Sequence, residues 1–269
     1  MKKLFFVLLG VSLLSTQSCK NAPEGSPSDE QSIETVSSDG IGDKVLIRLK
    51  PKVGDSQNTL MTMNVSSEGD QKMSMDMVAK VDVNISEKVE DVYTYNMNYK
   101  SIKMDMSAGG MEMKYDSENP GSDPMGSMMH EQFKTFLDKP MSMKMNDRGM
   151  ISDFVMPGNI DVRQAGDFGS FSIPLPEGPV GEGDSWEATR PMQGTGNMNM
   201  KMTVNKITAN DVVIDTDGDL TDSSGANLGK FTGSYTLDRN SGLTKDGTMN
   251  MDIIAEGQKL KMKLNFKPQ

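Results

Sequence analysis

Residues 101–116 read SIKMDMSAGGMEMKYD, and this stretch decides the fold. Met104 and Met106 stand two apart, as do Met111 and Met113, with Asp105 and Glu112 between them. A spacing of two puts side chains on one face of an extended strand, whereas one face of a helix needs three or four. Ser107-Ala108-Gly109-Gly110 supplies the glycines that a tight turn demands. The expectation is a β-hairpin with four methionines on one surface and charged residues on the other.

The same alternation runs along the chain. Met61 and Met63, then Met73, Met75 and Met77, then Met141, Met143 and Met145, then Met198, Met200 and Met202, then Met249 and Met251 recur at every second position. Thr, Ser, Asp, Asn, Lys and Glu fill the places between, which marks antiparallel sheet with one dry and one wet face. Met accounts for 26 of 269 residues and aromatics for only 6%, so much of the core must be built of methionine. Turn signals at Asp147-Arg148-Gly149, Asp217-Gly218-Asp219 and Arg239-Asn240-Ser241-Gly242 punctuate the later strands. One helix is expected from Pro124 to Leu137. Asp123 suits its cap and Pro124 its first turn, Met129, Phe133, Phe136 and Leu137 form an apolar stripe, and Pro140 ends it. The fold class is mainly β: a large curved antiparallel sheet, or two similar antiparallel β units, with one short helix around 124–137.

The choice between one sheet and two units turns on an internal echo. Gly54-Asp55-Ser56, a short strand, then MSMDMVAKVDVNISEKVEDVYTY is matched by Gly183-Asp184-Ser185, a short strand, then MNMKMTVNKITANDVVIDTD. SMKMNDRGMISDFVM is similarly matched by SYTLDRNSGLTKDGTM. A β domain over 41–269 thus divides into related halves, 41–156 and 177–269, joined by a Pro/Gly-rich link at Ile173 to Pro179.

The first residues carry an address. Lys2 and Lys3 precede an apolar run from Leu4 to Leu14, too short to span a bilayer as a helix, which takes roughly twenty residues. Ser15 to Ser18 lead into Cys19, the sole cysteine, so no intramolecular disulfide exists. A signal peptide over 1–18, lipidation of Cys19 and a flexible tether over 19–40, rich in Ser, Pro, Gly and acids, are expected. The membrane is then a partner through the N-terminal lipid, and the place is the cell envelope, at the outer membrane.

A net charge of −10 argues against nucleic acid as a partner. One histidine removes most catalytic schemes, because little else titrates near neutrality. The acids Asp215, Asp217, Asp219 and Asp222 lack the Gly and Glu that a calcium-binding EF-hand loop needs, and read as an acidic hairpin turn. Trp186 reads as a strand anchor in the core.

The tethered start, the Asp147-Arg148-Gly149 hairpin and the stretch IPLPEGPVGEGDSW at 173–186 resemble an uncharacterised family of Bacteroidota lipoproteins with a domain of unknown function. That resemblance implies no activity and no binding residue. More loosely, a long curved sheet with a helix on its hollow side is similar to the half-barrel carriers of lipids and lipoproteins.

Two readings of the methionines compete with a plain packed core. In the first, the strand methionines from Met61 to Met202 line a cavity for a hydrophobic small molecule, since Met surfaces adapt to irregular apolar partners. In the second, the Met-x-Met strands bind Cu(I) in the periplasm through thioether sulfurs, with Met125, Met128, Met129 and His130 adding a compact cluster, although a metal needs donors converging on one point. In the packed-core reading Met129 belongs to the helix stripe and His130 faces solvent. The expectation is a non-enzymatic, lipid-anchored envelope protein with a Met-lined apolar face, no cofactor and no dedicated metal site.

Overall fold

The strands are β1 (Ile33–Val36), β2 (Ser56–Glu68), β3 (Met73–Val89), β4 (Val92–Ala108), β5 (Met111–Asp116), β6 (Met141–Asn146), β7 (Ile151–Val155), β8 (Ser185–Met192), β9 (Gly196–Ile207), β10 (Asp211–Asp222), β11 (Asn227–Asp238), β12 (Thr244–Ala255) and β13 (Gln258–Pro268). One helix, α1 (Pro124–Asp138), stands between β5 and β6. The computed structural model describes residues 33–36, 44–68, 72–122, 124–157, 172–192, 196–255 and 258–269. The expected signal peptide, Cys19, residues 19–32 and 37–40 of the tether and the capping Asp123 lie outside them.

All strands join one antiparallel sheet in the order β1-β8-β9-β10-β11-β12-β13-β2-β3-β4-β6-β7, with β5 paired beside β6 on β4. The expected halves are therefore two meanders in one sheet, stitched by β13 against β2 from Lys259↔Glu68 to Pro268↔Thr59. The tether expectation needs one correction. Ile33–Val36 is a strand paired with β8, whose backbone edge it satisfies.

The opening hairpin forms as read. Gly109 and Gly110 take φ of 59° and 81°, the positive pair of a two-residue turn, and Met106 pairs with Met113. A second expectation fails: Asp217-Gly218-Asp219 is not a turn but the middle of β10. Gly218 faces inward opposite Phe231, whose ring occupies the space a Cβ would need. Gly247 is likewise covered by Phe266. Aromatic rings over inward glycines let the strands bend without leaving a hole. The acidic turn lies further on, where Asp222 accepts from the backbone of Ser224 and Ala226.

Two straps close one end of the sheet. Residues 44–51 and 172–180 cross there, with Ile47, Leu49, Ile173, Leu175 and Val180 buried in the common core, and Val45 and Val180 bridging the straps. Leu49 N donates to Asp147 O in the β6–β7 turn, and Lys50 N donates to Ser241 O in the β11–β12 turn, each at 2.7 Å. Between β12 and β6 lie four strands, which would hold those turns about 24 Å apart in a flat sheet. Adjacent residues are only about 3.8 Å apart. The sheet must therefore curl until both turns reach one strap. The Pro/Gly-rich stretch at Ile173–Pro179 is correspondingly not an open link: Ile173 to Pro176 are buried.

One turn geometry occurs twice. Lys52 N donates to Asp55 Oδ2, Gly54 N to Ile85 O, and Ile85 N to Asp55 O; the same three bonds run Gly181 N to Asp184 Oδ2, Gly183 N to Val204 O, and Val204 N to Asp184 O.

Candidate functional site

The register sets the inward side chains in rows across the sheet. One row runs Tyr115, Met104, Met77, Met63, Leu264, Met249, Gly233, Thr216, Met202, Trp186. The next runs Met113, Met106, Met75, Val65, Met262, Met251, Phe231, Gly218, Met200, Ala188. The alternating methionines thus meet as neighbours from strands far apart in sequence. On β6, Met141 and Met143 pair with Met97 and Tyr95, and Met145 with Tyr93.

Cover over this face is uneven. Under the straps and along β8–β11 it is closed: Met198, Met200 and Met202 are buried, and Trp186, fully buried, donates from Nε1 to Pro174 O at 2.8 Å. The void left there, between Ser172, Ile173, Met200, Met202, Thr216, Phe231, Tyr235 and Met249, is about 10 Å³. That is at the lower limit for one water molecule and far too small for an acyl chain.

Helix α1 covers another part. Met129 is fully buried, Phe133 stacks on Tyr115 with centroids 5.3 Å apart, and Phe136 meets Tyr99 edge-on at 6.5 Å. Met104 and Met106, on the strand beneath, are buried. Burial raises the Tyr99 hydroxyl to about 12, so it stays protonated at any physiological pH.

Elsewhere the face is open. Met63, Met73, Met77, Met113, Met251, Ile253, Leu260 and Met262 are only half-buried, and Met111 is 57% exposed. Met73, Met111, Ile253 and Leu260 sit beside the β2–β3, β4–β5 and β12–β13 turns, at the end of the sheet away from the straps. A larger concavity of about 300 Å³ opens on the other, polar face, where Asn64, Asp76, Asn250, Asp252, Lys261 and Lys263 line it.

The copper cluster does not converge. Met125 and Met128 lie on the outer side of α1, 42% and 43% exposed, whereas Met129 points into the core. Consecutive helix residues are turned about 100° from each other, so Met128 and Met129 point in different directions, and Met125, a full turn before Met129, stays exposed in the first turn of the helix. His130 does not face solvent either: it is half-buried, with Nδ1 3.1 Å from the Tyr115 hydroxyl, a hydrogen-bonded pair. Among the described residues no three His, Cys, Asp or Glu side chains gather in a metal-holding arrangement, and no helix is long and apolar enough to cross a membrane.

Residues that sequence reasoning passed over are Leu260, Met262, Leu264 and Phe266 of β13. Their signal was present in KLKMKLNFK, where Lys261, Lys263 and Asn265 separate the apolar residues at period two. The Ile-x-Leu pairs of the straps, Ile47/Leu49 and Ile173/Leu175, were also legible as a repeated apolar pair ahead of each Gly-Asp-Ser turn.

Comparison with known proteins agrees with this architecture. The sequence matches no curated protein. Among solved structures, a lipovitellin studied for its lipid–protein interactions superimposes with a TM-score of 0.51 at 13% identity, over 81% of this chain and 25% of the other. This likeness concerns fold, and the chain spans about a quarter of that much longer protein. A domain from Vibrio parahaemolyticus assigned to outer membrane lipoprotein sorting matches 79% of this chain and 86% of its own at 8% identity, but with a TM-score of 0.15 it carries no argument. A family model matches residues 90–155 and 164–265, which spans β4 to β7 and β8 to most of β13 but leaves β2 and β3 outside, and on that match over more than half of its length the chain belongs to the family of unknown function DUF6263.

Proposed function

We propose that this protein is a non-enzymatic envelope lipoprotein, anchored through lipid on Cys19, which engages hydrophobic ligands on the methionine face of its sheet. One observation carries the reading: the inward face is predominantly apolar, yet from β12 to β3 several of its side chains, Met63, Met77, Met251 and Met262 among them, are only half-buried. A folded chain normally hides such a surface, since each large apolar side chain gains about 1.5–3 kcal/mol on full burial. A contiguous apolar stretch left open marks a place where a partner completes the burial. Methionine suits an irregular or variable partner, because its unbranched side chain repacks easily. The ligand would lie in an open trough and not in a sealed cavity, given how little space remains under the straps.

The twin Gly-Asp-Ser turns support a further part of this reading, that the halves 41–156 and 177–269 descend from one duplicated β unit. In that scheme β5 and α1 are an insertion peculiar to the first half.

The test is titration of the Cys19→Ala chain with a fluorescent fatty acid. Saturable binding that is lost in Met63→Glu/Met77→Glu supports the proposal. A parent protein that leaves the probe's emission unchanged would sink it.

A further inference from the structure

We propose that the open rim of the sheet rests directly on a zwitterionic lipid surface, the same bilayer to which Cys19 ties the chain. This deepens the reading above and depends on its apolar trough.

The two ends of the sheet differ in chemistry. At the strap end the β6–β7 and β11–β12 turns are held by hydrogen bonds and ion pairs, including Arg48 with Asp147 and Lys245 with Asp238. At the other end, beside the β2–β3, β4–β5 and β12–β13 turns, four inward-row residues are apolar and under-covered: Met111 is 57% exposed, and Met73, Ile253 and Leu260 are half-buried. Met111 and Met73 adjoin Met113 of the next row, and Ile253 and Leu260 adjoin Met251 and Met262, with Ser67 and the buried Met75 and Val65 between the two groups, so the rim is the mouth of the trough. Exposed Lys72, Lys114 and Lys259 stand around it, with Glu112 and Asp252. Lysine stems can lie along apolar surface while their ammonium groups reach a phosphate layer. The chain's overall charge of −10 opposes a strongly anionic bilayer, which leaves a zwitterionic one.

The length and direction of the N-terminal chain fit the same occupant. Strand β1 runs from Ile33, opposite Ala188, to Val36, opposite Ser185, the strap-end residue of β8. Its N-terminal end thus points toward the rim. From Cys19 to Ile33 is fourteen residues, enough to reach at most about 50 Å. A lipid on Cys19 and the rim can therefore meet one surface together, and two weak membrane contacts on one chain reinforce each other.

The experiment uses the Cys19→Ala chain, which carries no lipid, floated with phosphatidylcholine/phosphatidylethanolamine vesicles. The parent should co-float, and Met111→Glu/Leu260→Glu should reduce the bound fraction at least fivefold. Val53→Glu and Val89→Glu, exposed at the strap end, should leave it unchanged. A second measurement does not depend on the stability of the double variant: Met111→Trp should show a blue-shifted added emission with vesicles, and Val89→Trp should not. A parent that stays unbound, or loss equal at Val89, overturns the rim contact. Fatty-acid binding without vesicle binding would overturn this inference alone, whereas vesicle binding without fatty-acid binding would overturn the ligand reading and leave the rim contact standing.

Discussion

Gly149 lies directly under the carbonyl of Ile173: a Cβ at 149 would stand 2.5 Å from that oxygen, and the residue's φ is +77°. The strap of the second meander thereby rests on the β6–β7 turn of the first. Gly242, with φ of +71°, meets the carbonyl of Arg48 in the same way, so the strap of the first meander rests on a turn of the second. Each half is locked by a segment of the other.

Gly149→Ala and Gly242→Ala should each destabilise the fold by about 2 kcal/mol or more, since a left-handed φ and a backbone clash are imposed together. Chemical denaturation would read this as a lower midpoint. Gly54→Ala, whose Cβ would meet nothing, tests the separation of causes: it should cost only the φ term, about 1 kcal/mol.

Met104→Leu/Met106→Leu should fold normally, because volume-conserving apolar swaps usually cost less than about 1.5 kcal/mol. Fatty-acid binding should survive the swap as well. Were the sulfurs Cu(I) ligands, affinity in competition with a Cu(I) chelator would collapse instead. Stoichiometric Cu(I) binding by the parent that vanishes in this variant would favour the metal reading.

Acid should weaken the strap end. Asp238 accepts from the backbone N–H of Ser241 and Asn240 and pairs with Lys245 Nζ at 2.9 Å, and these interactions hold its carboxyl at about 2. Its folded value lies below its unfolded one, so its stabilisation is complete above about pH 4 and is lost as pH falls toward 2. Asp238→Asn should flatten the pH dependence of the thermal midpoint in that window. An unchanged slope would place the acid sensitivity elsewhere, with Asp116 and Asp222, which are also lowered, as the next candidates.

Cys19→Ala, expressed with its leader in a bacterial host, should move the chain from the membrane pellet into fractions released by high pH or mild detergent, since the rim alone holds less firmly than an acyl anchor. An N-terminal peptide from the parent without acyl mass would remove the lipid anchor from the account.

Period two in the methionines was enough to determine strands, and the Gly109-Gly110 turn enough to determine one hairpin, because both depend on neighbours within a few residues. The helix over 124–138 was legible for the same reason: Pro124, the Met129/Phe133 stripe and Pro140 are local signals. Asp217-Gly218-Asp219 misled, since a glycine flanked by acids reads as a turn until Phe231, thirteen residues on, is seen to fill its inward side.

Which methionines are covered and which are open was decided only by the tertiary structure. Met200 and Met262 lie in the same row and have the same local pattern, yet one is buried and the other half-exposed, because the second strap crosses beside the first and nothing among the described residues crosses the second. The curl that brings Asp147 and Ser241 to one strap and the join of β13 to β2 unite residues distant in sequence, and the pairing of His130 with Tyr115 joins a helix to a strand. Local alternation reports which side of a strand is dry. It holds no record of what lies above it, because that depends on where other segments of the chain, outside the strand's own neighbourhood, come to rest.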